Sequence, residues 1–145
     1  MAVDVMTEVV IRRPPTDVAE YAGDPSNAPE WYANIDEVRW ETEPPLRVGS
    51  RLAFAARFVG RRLEYTYEIV EFEPGSRMVM STAEGPFPME TTYTWEPTAD
   101  GATRMTLRNR GEPSGFARVA GSFMARAMRR ANRDDLAALK RILEA

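Results

Sequence analysis

The amino-acid sequence predicts an α+β fold in which a curved antiparallel sheet of about six to seven strands wraps round one long C-terminal helix, with two short helices after the first strand. Three observations predict it. Residues 49–110 alternate apolar and polar positions with period two, broken at short intervals by turn signals. Residues 114–143 carry an apolar stripe at helical period, the longest such segment in the chain. An antiparallel sheet with one apolar face must also cover that face, and the terminal helix is the only large apolar counterpart in the sequence.

Taken in order, Val3, Val5, Thr7, Val9 and Ile11 alternate with Asp4, Met6, Glu8 and Arg12, which reads as a half-buried strand ending at Pro14-Pro15. Thr16 then stands where a helix N-cap would, with Asp17 and Glu20 favouring the positive end of the helix dipole. This helix stops near Gly23-Asp24-Pro25. A second short helix is expected over Asn27 to Ala33, with Pro29 near its start. Residues 35–41 turn extended, and Pro44-Pro45 ends them.

The meander follows. Leu52, Phe54, Ala56 and Phe58 share one parity before Gly60; Leu63, Tyr65, Tyr67 and Ile69 share the next before Glu73-Pro74-Gly75-Ser76, a type II turn pattern. Apolar residues fall on both parities at Ile69, Val70 and Phe72, which predicts a β-bulge there. Met78, Met80 and Thr82 lead to Gly85-Pro86, then Met89, Thr91, Tyr93 and Trp95 lead to the hairpin signal Asp100-Gly101, and Met105, Leu107 and Asn109 close the set. Short connections of this kind join antiparallel neighbours. In the helix, Phe116, Val119, Ala120, Phe123, Met124, Ala127, Ala131, Leu139, Ile142 and Leu143 form the apolar stripe, and Arg118, Arg126, Arg129, Arg130, Arg133 and Lys140 the opposite face. About 30 helical residues outrun the strands, so a bend is expected at Gly121-Ser122.

With 145 residues, one domain spanning 1–145 is expected. The chain has no cysteine and no histidine. Disulfides, thiolate metal sites, Ser-His-Asp triads and histidine-ligated zinc are thereby excluded, as is an imidazole acid or base. No Gly-rich phosphate loop or metal-spaced carboxylate cluster occurs, so neither cofactor nor metal is expected. No signal peptide is read at the N-terminus and no run approaches a membrane span, which makes the cytoplasm the expected location. From Pro113 onward seven Lys/Arg stand against three Asp/Glu, against twelve and nineteen before it. Such a basic helix face can meet an acidic partner or nucleic acid, but ordinarily it is simply solvated, and nucleic acid is not expected as a partner.

The element order, together with PSNAPEWYANI, EIVEFEPGSRMVM, GPFPMETTYTWEP and DGATRMTL, resembles the START-like helix-grip superfamily (START/Bet v 1-like) across essentially the whole chain. Within it the sequence looks most like the bacterial polyketide cyclase/dehydrase and lipid-transport branch, the SRPBCC proteins. That resemblance implies a cavity between the long helix and the concave sheet. Its lining would be the inward residues Phe54, Phe58, Tyr65, Tyr67, Met80, Met89, Tyr93, Trp95, Phe116, Phe123 and Met124, with Trp31 and Tyr32 at the mouth. Thr91 and Asn109, polar on inward parity, are either pocket anchors or strand-end residues. Met80, Phe123 and Met124, taken singly, read rather as core residues, since burial of each is worth roughly 1.5–3 kcal/mol without a ligand.

The family markers specify fold rather than chemistry. Three functions stay open: binding of a small, largely hydrophobic lipid- or polyketide-like molecule; a cyclase/dehydrase working through Tyr, Arg or carboxylate groups; and a module that docks a protein partner. For the second, Tyr65, Tyr67, Arg57, Glu64 and Glu90 are the available groups, of which Arg57, Glu64 and Glu90 lie on outward parity. No catalytic pair is named. The expected partner is a small hydrophobic ligand, and the chain is expected as a monomer or homodimer.

Overall fold

Alternation along the first strand becomes burial in the computed structural model, which describes residues 3–58, 60–85, 88–112 and 121–145. In β1 (Val3–Ile11), Val3, Val5, Thr7 and Ile11 are buried while Asp4, Met6 and Glu8 face solvent. Two helices follow, α1 (Pro15–Ala22) and α2 (Ala28–Trp31), separated by a 3-10 turn at Pro25–Asn27. Thr16 is not the cap of α1. Pro15 occupies the first helical position, where its missing N–H costs nothing and its fixed φ suits the helix, and no side chain caps this end. The second helix is likewise shorter than expected, because the 3-10 turn, with the Asp24 carboxylate accepting from the Ser26 N–H, takes its first residues.

Six further strands form the meander: β2 (Ile35–Trp40), β3 (Arg51–Phe58), β4 (Arg61–Glu73), β5 (Arg77–Glu84), β6 (Met89–Pro97) and β7 (Thr103–Gly111). The curved sheet is antiparallel throughout in the order β1-β7-β6-β5-β4-β3-β2. Each meander strand pairs with its neighbour in sequence, whereas β1 joins at the far end, on β7. Gly75, at φ 82, takes the left-handed position of the expected turn, closed by the Ser76 N–H to the Glu73 carbonyl at 2.9 Å.

The expected bulge in β4 is present. Register shifts between Ile69, opposite Met80, and Glu71, opposite Val79. Val70 is the extra residue and stands 40% exposed. One inserted residue restores the inward parity for Phe72, which lies opposite Met78.

Helix α3 (Gly121–Glu144) covers the concave face. Its 24 residues span about 36 Å. Leu136, Leu139 and Leu143 enter the same core cluster as Tyr67, Met105 and Leu107 of the sheet. Its far end is tied to β1, with Glu144 accepting from the Arg12 N–H at 2.8 Å and from Lys140 at 2.7 Å, while Arg13 donates to the Leu143 carbonyl at 2.8 Å. The segment expected to begin this helix, with Phe116 and the residues leading to the expected bend at Gly121-Ser122, lies outside the described residues. Among the described residues no helix is long and apolar enough to cross a membrane.

Phe123 corrects the predicted stripe, being 63% exposed. The buried positions of α3 are Met124, Asn132, Asp135, Leu136, Leu139 and Leu143. At about 100° per residue these share one face, and Phe123 falls on the far side of it.

Candidate functional site

Between α3 and the concave sheet lies a cavity of about 120 Å³. Period-two geometry points Phe54 of β3, Tyr65 and Tyr67 of β4, Met78 and Met80 of β5, and Met89, Thr91 and Tyr93 of β6 at it, with Asn109 of β7. Met128, Ala131, Asn132 and Asp135 of α3 form the opposite wall, and Tyr32 with the turn around Gly23 and Pro25 closes the side next to the short helices.

Nine of the residues expected from the sequence thus share one cavity: Tyr32, Phe54, Tyr65, Tyr67, Met80, Met89, Thr91, Tyr93 and Asn109. Others sit elsewhere. Trp31 is not at a mouth; it is 2% exposed and packs behind the site, its ring 4.1 Å from Tyr32 and 5.9 Å from Tyr93. Trp95 lines a separate cleft. Met124 is buried and bounds a void of about 10 Å³ beside Met89, Asn109 and Met128. Phe123 faces away from the sheet. The Phe58 side chain and Phe116 lie outside the described residues. Of the acid-base candidates, Glu64 is exposed, Glu90 pairs with Arg110 at 3.5 Å, and Arg57 contributes to the cavity rim while its guanidinium is held by Asp36 at 2.9–3.2 Å.

Two hydrogen-bonded groups cross the cavity wall. Thr91 donates to the Asn109 carbonyl oxygen at 2.7 Å, so the Tyr67 hydroxyl, 2.8 Å from Thr91, is the donor in that contact. This chain leaves the Asn109 amide nitrogen without a partner among the described residues. The second group is the Tyr32–Tyr93 hydroxyl pair, 2.6 Å apart. Burial raises every one of these phenols: Tyr67 is pushed up to about 12, and Tyr32, Tyr65 and Tyr93 are pushed well above the ordinary tyrosine value. At neutral pH they are neutral donors. The Tyr65 hydroxyl has no hydrogen-bond partner among the described residues, although its ring stacks on Phe54 at 5.4 Å.

Two polar residues of the α3 wall escape a reading of the sequence. Asn132 is 4% exposed and its amide nitrogen is buried with no partner among the described residues. Asp135 is also 4% exposed and accepts from the Ala33 N–H at 3.0 Å. Burial pushes its carboxyl up to about 6; the Ala33 bond opposes this and neighbouring Asp134 adds to it. Both lie eight to eleven residues beyond Met124 on the apolar face, and that placement of polar residues on a core stripe is the signal that could have found them.

The sequence profile described as polyketide cyclase / dehydrase and lipid transport matches residues 2–144. The chain belongs to this family. Among curated proteins none matches it in sequence. Its fold is shared with a START superfamily protein from Mycobacterium smegmatis, at a TM-score of 0.81 and 13% identity over 97% of each chain. The Zhui aromatase/cyclase from Streptomyces sp. R1128 superposes at 0.79 with 15% identity, over 97% of this chain and 93% of that one. A protein from Thermus thermophilus does so at 0.78 with 19% identity, over 95% and 94%. At these identities the likeness carries the helix-grip fold, and chemistry has to be argued from the cavity.

Proposed function

We propose that the chain binds a small, largely apolar molecule carrying carbonyl or phenolic oxygens in the central cavity. The observation that carries this is the buried Asn132 amide nitrogen in the cavity wall, with no partner among the described residues. A buried donor left unpaired costs about 1–3 kcal/mol. Reorientation of the side chain would bring it to a ligand oxygen in the cavity, and the Tyr65 hydroxyl and Asn109 amide are two further donors on the facing sheet wall. The methionines Met78, Met80, Met89 and Met128 supply an adaptable apolar surface around them. At about 120 Å³ the cavity is smaller than the roughly 300–1,000 Å³ of sites for drug-sized ligands, so without movement of its walls it takes a single ring or the inner end of a longer molecule.

A second reading, turnover of a polyketide-like substrate as in a cyclase or dehydrase, is favoured by Asp135. Histidine is absent from the chain, and this carboxyl, held at about 6 beside Tyr32 and Tyr93, is the group best matched to acid-base work near neutral pH. One experiment addresses both readings: native mass spectrometry of freshly purified protein, then incubation with aromatic ketones, phenols and a linear poly-β-ketone with product analysis. Binding with unchanged ligand supports the carrier reading; a cyclised or dehydrated product that disappears in Asp135→Asn supports the enzyme. No co-purified ligand and no binding across the panel would remove both.

A further inference from the structure

A second concavity, of about 530 Å³, lies outside the central cavity between α1, the loop joining β2 to β3, and the β4–β5 turn. Its walls are aromatic and proline-rich: Trp40, Leu46, Phe72 and Trp95, with four prolines. Glu20 and Asp24 are its only charged lining residues, and among the described residues neither is in an ion pair. No cationic side chain among the described residues lines it.

Two of its walls are held in place. The Trp40 indole donates to the Ser26 hydroxyl at 2.9 Å. Trp95 packs against the end of α1 where Gly23 leaves room; a Cβ there would lie 3.3 Å from the indole ring. Trp95 is 3% exposed, and its indole nitrogen is buried behind the cleft wall, with no hydrogen-bond partner among the described residues. Aromatic faces beside uncompensated carboxylates favour a cation.

We propose that this cleft is a second binding site, for a small organic cation with an apolar body. The cation lies over Trp40 near Glu20 and Asp24, and the apolar body fills the space between Phe72, Leu46, the prolines and the Trp95 ring. The volume is within the range of small-molecule sites. Gly23 and Pro25 form a wall common to this cleft and the central cavity, so the two sites are adjacent yet separately lined.

The chain's three tryptophans allow a direct test, because each indole N–H gives its own cross-peak in a proton–nitrogen correlation spectrum. Procaine, an aromatic ester with a protonated amine, is titrated against benzocaine, a neutral aromatic ester of the same core. Procaine is expected to move the Trp95 and Trp40 indole signals and leave Trp31, which packs behind the central cavity, unchanged. Benzocaine is expected to bind about tenfold more weakly. Glu20→Gln, at an exposed position on α1, is expected to weaken procaine about threefold. Movement of Trp31 together with the others would place the probe in the central cavity and overturn the proposal. Equal binding of the two esters, no effect of E20Q, or no indole shift at millimolar procaine would each do the same.

Discussion

Asp135 is a carboxyl held where water cannot solvate its charge, and its titration feeds directly into stability. Folding raises it from an ordinary 3.8 to about 6, so between those values the folded chain binds more protons than the unfolded one. Stability therefore falls as pH rises through that window, and above pH 6 the ionised group costs on the order of 2–3 kcal/mol. Asparagine in its place keeps an acceptor for the Ala33 N–H and carries no charge. Asp135→Asn is expected to gain most of that energy at pH 7.5 and almost none at pH 4, measured by urea unfolding at the two pH values. Equal gains at both would show that the carboxyl titrates normally. Such a cost at neutral pH is what a group kept for function rather than for the fold would carry.

At the scale of elements, the end of α3 behaves in the opposite sense. Glu144 is lowered from 4.5 to about 2, first by its bond to Lys140 and then by the Arg12 N–H, so its contribution is present above pH 4.5 and is lost as pH falls toward 2. Glu144→Gln is expected to speed hydrogen exchange of the Arg12 amide at neutral pH and to leave exchange unchanged near pH 2; unchanged exchange at both would mean that β1 is held without this clasp. Strands and turns were legible in the sequence because their signals are local: period-two alternation, Pro74-Gly75, Asp100-Gly101, and the double-parity run that marks the Val70 bulge. Pairing of β1 with β7 was not, since it joins residues about a hundred positions apart and depends on the closure of the whole sheet. The helix shows how the site hid. Phe123 reads as core and is exposed, whereas Asn132 and Asp135, which the stripe does not include, are buried, because an apolar stripe counted by residue type leaves out the polar groups that a binding cavity places on it. Tyr65, Tyr67 and Tyr93 were legible as inward residues by parity, while the hydroxyl partners of Tyr67 and Tyr93 depend on β6, two strands away from β4 in the sheet, and on the end of α2.

For the molecule as a whole, a cavity with unpaired donors means that the empty protein forgoes stability that a ligand restores. The unpaired Asn132 amide alone is worth about 1–3 kcal/mol, and Leu keeps the same branched shape without a polar atom, its larger methyl groups having room in the adjoining cavity. Asn132→Leu is therefore expected to raise the melting temperature of the empty protein by about 2–6 °C. A ligand that binds only the folded state stabilises it by RT ln(1 + [L]/Kd), about 2.7 kcal/mol at a hundredfold excess over Kd. In the Leu variant the ligand oxygen loses its donor, so the ligand-dependent rise should shrink by the equivalent of about a tenfold weaker Kd. The two effects have opposite signs, which separates them from ordinary core damage, where the melting temperature falls. Thermal unfolding of both proteins, with and without a phenolic or ketone ligand found in the binding panel, measures them together. A Leu variant that melts lower and keeps the full ligand-dependent rise would make Asn132 a packing residue and return the oxygen-binding role to Tyr65 and Asn109.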